Sequence, residues 1–366
     1  MEPKLKRFQM VVCKIFIGLE EIFVIGDEKD GTNSYEVLFG DEINCPEIKV
    51  NPEQDLVVLP YSSGTTGHPK GVMLSHSNLV SNLYQFTELE PSGEEDTLIA
   101  VLPFYHIYGM TVILNSALSH GATVVCMSRF DLEQFLVLMQ KHEVTRAHLV
   151  PPIVLGLAKH PMVDGYAFPK LKTIMSGAAP LGPELAEDCA RRLGCTVKQG
   201  YGLTETSPVV SCNPINDIRV ETVGPPFKGN EVKIAEDGEI LVKGENVMIG
   251  YWNNKEETDK VLKNGWLHTG DIGAFENNYL KITDRKKDIL ITPGGDNISP
   301  LKVENEIINS EFFEQAVVYG DNKPFIVALI VLNSKKNSLT NEQIKEEIEK
   351  INIKLSKIEK IKKFFV

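Results

Sequence analysis

At 366 residues the chain is longer than one ordinary hydrophobic core requires, so a large domain with a smaller companion is the expectation. Hydrophobic residues at 42% and charged residues at 24% describe a globular chain and exclude a disordered or membrane-embedded one. The net charge of −12 excludes broad binding to nucleic acid or an anionic membrane, while allowing a local basic pocket for a small anion.

The first apolar run, "MVVCKIFIGL", is interrupted by Lys14 and followed by Glu20 and Glu21. It is too short to span a membrane and lacks a signal-peptide cleavage pattern, so it reads as a buried strand or helix. The six cysteines, at 13, 45, 126, 189, 195 and 212, form no CxxC pair and no metal-ligand spacing. That pattern suits a reducing compartment and makes Asn297-Ile298-Ser299 a chance sequon. A cytoplasmic location is expected. The terminal "FFV" is no peroxisomal tripeptide, although a longer chain could carry one.

The stretch "LPYSSGTTGHPKGVML", from Leu59 to Leu74, follows the apolar "DLVV" and gathers Ser62, Ser63, Gly64, Thr65, Thr66, Gly67 and Lys70. Glycines let backbone N–H groups turn toward an anion, and hydroxyls with a lysine add donors and charge, so this loop is expected to hold phosphate. The P-loop pattern fails, because Pro69 stands five positions beyond Gly64 and Gly71 follows Lys70. No GxGxxG fingerprint fits here either. Further on, "LIAVLPFYHIYG", "RAHLVPP", "LKTIMSGAAPLG" and "CTVKQGYGLTE" repeat the design of an apolar run ending in a Gly- or Pro-rich loop. Helical segments lie between them: "DLEQFLVLMQKH", and "PELAEDCARRL" with Gly194 as its C-terminal cap. Strands alternating with helices predict an α/β fold with mainly parallel sheets and flanking helices. Its ligands should sit in the loops beyond the strand carboxyl ends.

The texture changes near "ITDRKKDIL". A helix start at Ser299-Pro300, the runs "QAVVYG" and "FIVALIVLN", and a terminal helix predict a small C-terminal α/β domain over 284–366, after a large domain over 1–283. The terminal helix should open with a capping box from Thr340 to Gln343 and carry Ile344, Ile348, Ile351, Leu355, Ile358 and Ile361 on one packing face.

Taken in this order, the motifs "YSSGTTGHPKG", "PFYHIYG", "QGYGLTET" and "GWLHTGDIG", followed by "DRKKDILITPGGDNISP", resemble the acyl-adenylate-forming superfamily. Its members include acyl-CoA synthetases, 4-coumarate-CoA ligases, firefly luciferase and peptide-synthetase adenylation domains. Essentially the whole chain is covered. The part through "QGYGLTETSP" looks most like 4-coumarate-CoA ligases, and "ENVMIGYWNN" through "GGDNISP" looks more like long-chain acyl-CoA synthetases.

The resemblance implies activation of a hydrophobic carboxylic acid, fatty or 4-coumarate-like, with ATP and Mg2+ to acyl-AMP, then transfer to coenzyme A. The phosphate loop would hold the β- and γ-phosphates. Gly177, Ala178 and Ala179 would form the adenine wall, with Tyr201 stacked on the other face of the base. Gln199, Gly200 and Gly202 belong to the same nucleotide motif, Thr204 would contact the α-phosphate, and Glu205 would ligate Mg2+. Asp271 would accept both ribose hydroxyls, with Arg285 beside it. Lys287 takes the hinge position, whereas Lys286 reads equally as a surface lysine. Gly294 and Gly295 would approach the pantetheine of coenzyme A, and His106 and Tyr108 would line the acyl pocket, His106 as a gate.

Other chemistries find no support. "HEVTRAH" places Arg146 where a zincin needs its second histidine, and there is no GxSxG elbow. Within the superfamily a peptide-synthetase-type adenylation domain stays open, as does a nucleotide-binding fragment or pseudoenzyme. The phosphate loop begins near residue 61, which leaves less preceding chain than family members carry, so truncation at both ends is expected. No glycine follows Gly320, so the family's final glycine-loop lysine is expected to be missing. Lys354, Lys357, Lys360, Lys362 and Lys363 read as the solvated side of the terminal helix. Weak adenylation by the chain as written is the corresponding expectation.

Overall fold

The computed structural model describes residues 23–25, 31–39, 48–62, 69–294, 296–310, 312–333 and 339–366. The chain divides at Val50 into two compact units. In the first, Phe23–Val24 pairs in parallel with Asn33–Ser34, and a 3-10 turn covers Tyr35–Leu38. The expected element around "MVVCKIFIGL" lies outside the described residues.

The second unit is organised by a six-stranded sheet. Its strand order is Val209–Cys212, Thr196–Gly202, Thr173–Ser176, Arg146–Leu149, Thr97–Ala100 and Thr123–Cys126. All neighbours run parallel except Val209–Cys212, which returns antiparallel. The four apolar runs singled out in the sequence are thus adjacent strands. Period-two alternation divides their side chains between two layers. Ile99, Ala147, Leu149, Ile174 and Val197 face the helices Leu132–Lys141, Pro151–Lys159 and Pro183–Leu193. Leu98 and Ala100 pack with Ile113 and Ala117 on the opposite side, and Met175 with Phe86 and Val112.

Local chemistry sets the helix ends. Asp131 caps Leu132–Lys141 by accepting from the Gln134 N–H at 2.9 Å. Gly194 ends Pro183–Leu193 in the left-handed region at φ 65°, as its position in the sequence implied.

Two further sheets flank this one. Trp266–Glu276 lies between Glu239–Lys243 and Tyr279–Arg285 in a five-stranded antiparallel sheet. Lys70–Ser75 pairs with Leu56–Val58 and Tyr61–Ser62, and with Gly250–Tyr251 from far along the chain.

From Leu290 onward a separate core forms, in which Val303, Ile307, Phe313, Ile330, Ile344 and Ile348 meet. Helix Pro300–Ile308 is capped by Ser299, and helix Asn341–Lys354 opens with the expected Thr340–Gln343 capping box. The terminal helix is shorter than its apolar periodicity implies. It stops at Lys354, Leu355 is extended, and Ile361–Phe365 forms a strand parallel to Ile326–Leu332. The cause is Asn352, whose buried amide accepts from the Ile361 N–H at 2.8 Å and donates to its carbonyl at 3.0 Å, drawing the chain back. Ile344, Ile348, Ile351 and Leu355 are buried as the stripe requires, Ile361 is buried from a strand, and Ile358 is 43% exposed. Lys362 and Lys363 accordingly belong to a strand and not to a helix face.

Candidate active site

A cleft of about 500 Å³ opens where the carboxyl ends of the parallel strands meet the antiparallel sheet. The loop after Thr97–Ala100 brings His106 and Tyr108, that after Thr173–Ser176 brings Gly177 and Ala178, and Thr196–Gly202 delivers Gly200, Tyr201, Gly202, Thr204 and Glu205. The antiparallel sheet supplies Asp271, Arg285 and Lys287, and the Lys70–Ser75 hairpin supplies Ser62 and Lys70. Residues scattered over more than 200 positions thus share one lining.

The loop carrying Glu205 is built by close packing. A Cβ on Gly202 would lie 2.1 Å from the Pro208 carbonyl oxygen, so only glycine lets the turn fold back on itself. Asn246 donates to the Thr206 carbonyl at 2.8 Å, and its own carbonyl accepts from the Ser207 hydroxyl at 2.8 Å. The Met248 N–H donates to the Glu205 carbonyl at 2.9 Å. Opposite, Ala178 sits at φ 69°, in the left-handed region that a side chain with a Cβ rarely adopts. A Cβ on Gly177 would come within 2.9 Å of the Tyr108 ring, whose hydroxyl donates to the Met175 carbonyl at 3.2 Å. Tyr108 thereby lies close against the Gly177 backbone.

Asp271 is the electrostatic centre. Its Oδ2 accepts from the Tyr201 hydroxyl at 2.7 Å, and the Arg285 Nε lies 3.6 Å from its Oδ1. Burial raises the Asp271 pKa, with Tyr201 and Arg285 acting against that rise. Burial likewise pushes the Tyr201 phenol well above its ordinary value, reinforced by the Asp271 carboxylate, so it stays a donor. Glu205 accepts from the Tyr251 hydroxyl at 2.9 Å. Lys70 pairs with Glu257 at 2.5 Å and lies 4.8 Å from the centre of the Tyr251 ring. The Ser62 hydroxyl is buried and without a partner among the described residues, which suits a donor awaiting an anion. His106 is exposed, and partial desolvation lowers its pKa, favouring a neutral imidazole.

Not every candidate reaches the cleft. Ser63, Gly64, Thr65, Thr66, Gly67 and Gly295 lie outside the described residues. Gln199 is buried with both ends of its amide engaged, accepting from the Leu181 N–H at 2.9 Å and donating to the Val220 carbonyl at 2.8 Å. Its side chain therefore ties Thr196–Gly202 to the loops at Leu181 and Val220. Ala179 and Gly294 are exposed and outside the lining. Lys286 is exposed, as the surface reading has it, but it also lines the cleft, pairing with Asp237 at 2.6 Å and Glu239 at 3.0 Å. Tyr251, Glu257, His268 and Glu239 escaped sequence reasoning. Tyr251 and His268 stood within quoted motifs, but nothing in their spacing announced a partner.

Comparison with known proteins places this architecture. The AMP-binding enzyme family model matches residues 13–252, and the AMP-binding enzyme C-terminal domain model matches 287–366. The chain belongs to the AMP-binding enzyme family. It is 39% identical to 4-coumarate–CoA ligase 1 of Solanum tuberosum over 359 residues, covering 90% of this chain and 65% of that protein. The chain therefore spans less than two thirds of that relative. A probable 4-coumarate–CoA ligase 1 of Dictyostelium discoideum is 38% identical over 295 residues, covering 76% of this chain and 53% of its own length. Among solved structures, the O-succinylbenzoate coenzyme A synthetase of Bacillus subtilis in complex with AMP superposes with a TM-score of 0.75 at 30% identity. That match covers 86% of this chain and 66% of the synthetase. ATP-bound MatB from Rhodopseudomonas palustris gives 0.77 at 30% identity, covering 87% and 65%.

Proposed function

We propose that the chain carries the nucleotide and acyl sites of an ATP-dependent acid–thiol ligase acting on a hydrophobic carboxylic acid, organised as a large domain over 1–283 and a small mobile domain over 284–366. The observation that carries this reading is the cleft itself. An aromatic face at Tyr201, a buried carboxylate at Asp271, an acidic side chain at Glu205, and the donors Ser62 and Lys70 line a single space. That set matches, in turn, a base, a ribose, a metal-bound phosphate and a polyphosphate. The relatives named above include proteins solved with AMP and with ATP.

In this reading Tyr201 stacks on adenine and Asp271 accepts the ribose hydroxyls with the lone pairs its bond to Tyr201 leaves free. A carboxylate oxygen of the acid attacks the α-phosphorus of ATP, the bond to the β-phosphate oxygen breaks, and pyrophosphate leaves. In the second step the sulfur of coenzyme A attacks the acyl carbon and AMP departs with the former carboxylate oxygen. No side chain forms a covalent intermediate, so the protein contributes alignment and charge stabilisation. Thr204 faces the α-phosphate, and Lys287 is the hinge about which the small domain turns between steps. His106, its pKa lowered by partial desolvation, lines the acyl entrance.

No cluster of three or more potential ligands for a metal ion exists among the described residues. Mg2+ is commonly held by one or two carboxylates plus phosphate and water oxygens. Glu205 would hold it, and when bound the ion neutralises phosphate charge. The testing experiment is pyrophosphate release with a panel of fatty, cinnamic and amino acids, followed by chromatography of the thioester product. Preference for amino acids would replace the acid–thiol ligase with a peptide-synthetase type of adenylation.

A further inference from the structure

Among the side chains of the cleft, Tyr251 touches two functional groups at once. Its hydroxyl donates to Glu205 Oε1 at 2.9 Å, and its ring lies 4.8 Å from the Lys70 ammonium. The residue is 6% exposed, and its position is fixed from several sides. Its N–H donates to Thr258 Oγ1 at 2.9 Å, it pairs in register with Val72, and the neighbouring Trp252 N–H donates to the Gly71 carbonyl at 2.8 Å. The short strand Gly250–Tyr251 is thus bound to the strand that begins at Lys70.

We propose that Tyr251 is a positioning residue that joins the metal side and the phosphate side of the nucleotide site, aiming Glu205 with its hydroxyl and Lys70 with its ring. The inference rests on the nucleotide-binding reading given above.

The chemistry follows from the inventory of each group. Glu205 has two carboxylate oxygens; with Oε1 engaged by Tyr251, Oε2 is the one presented to a cation. Such a bond removes a rotational choice that a lone glutamate would have to give up on binding. Lys70 is drawn in two directions. Glu257 holds its ammonium at 2.5 Å, while the Tyr251 ring face offers attraction without consuming an N–H donor. A polyphosphate arriving beside Ser62 can therefore take Lys70 from Glu257 while the lysine stays against the ring.

The test uses the full chain and ATP, titrated calorimetrically in the absence of any acid substrate, once with saturating Mg2+ and once with EDTA. Tyr251→Phe keeps the ring and removes only the hydroxyl. Its ATP affinity should fall about ten-fold in Mg2+ and stay at the wild-type value in EDTA, the size expected for one hydrogen bond to a charged group. Tyr251→Leu, lacking the ring, should lose affinity in EDTA as well. Both arms use the same preparation, so a partly unfolded variant lowers the stoichiometry in each and leaves the ratio of affinities intact. Equal affinity of Tyr251→Phe and wild type in Mg2+, or an equal loss in both arms, overturns the role of Tyr251 alone. A wild-type chain that binds no ATP in either arm brings down the nucleotide reading, and this inference with it.

Discussion

Replacing Tyr201 by Phe separates two tasks that one residue performs. The ring remains to stack on a base, whereas the hydroxyl that donates to Asp271 Oδ2 at 2.7 Å is lost. Asp271 is 6% exposed, and Arg285 stands 3.6 Å away, too far for a direct hydrogen bond. Deleting a hydrogen bond to a buried charged group costs about 1.5–3 kcal/mol, and one to a neutral group about 1 kcal/mol. The folded-state pKa of Asp271 is already raised above the ordinary 3.8, so the stability linked to it is fully present below that value and is lost as pH rises through the folded value. Removing Tyr201 as a donor raises the folded pKa further and enlarges that loss. Tyr201→Phe should therefore destabilise by about 2 kcal/mol at pH 7 and by roughly half as much near pH 4. Urea denaturation at the two pH values reads the difference. AMP binding by Tyr201→Phe should weaken less than by Tyr201→Ala, which also forfeits stacking worth about 1–3 kcal/mol. A cost that is the same at both pH values, or none at all, would refute the assignment of this bond as support for a buried carboxylate.

Three further outcomes are expected. Lys198 has no exposed side chain and is paired with Glu90, itself paired with Arg146 at 2.6 Å; Lys198→Met should cost about 3–5 kcal/mol in chemical denaturation, with part regained in the Lys198→Met, Glu90→Gln double variant. Ala178→Gly should relieve the φ 69° backbone and stabilise by about 1 kcal/mol, read by the same method. Glu257→Gln removes the counter-charge held 2.5 Å from Lys70 and should tighten calorimetric binding of pyrophosphate about five-fold, matching a partly exposed ion pair of about 1 kcal/mol.

The order of strands and loops was legible because each motif joins an apolar run to a turn, and the four runs became neighbours in one sheet. The meeting of Tyr201, Asp271 and Glu205 in one cleft was likewise legible, since their motifs resemble a known superfamily. The ties among them were hidden: hydroxyl contacts from Tyr201 to Asp271 and from Tyr251 to Glu205 join residues dozens of positions apart, and no local periodicity encodes such pairs. The side-chain contacts of Gln199 were hidden for a related reason, as its place in a nucleotide motif says nothing of where its amide binds. The terminal helix was overextended because an isoleucine every three or four residues fits a helix equally well when the last ones come from a turn and a strand. The contacts of Asn352 with Ile361 and the pairing of Ile361–Phe365 with Ile326–Leu332 distinguish the two.

The pairing of Val72 with Tyr251 also has a consequence for biosynthesis. The strand that begins at Lys70 acquires this neighbour only when a segment about 180 residues later has been made, which at ribosomal speeds of about 5–20 residues per second takes on the order of 10–40 seconds. Throughout that interval the backbone edge of Lys70–Ser75, bearing Val72 and Leu74 that end fully buried, is open to any strand that meets it. Nascent chains halted between the two segments should therefore be the species most dependent on chaperones.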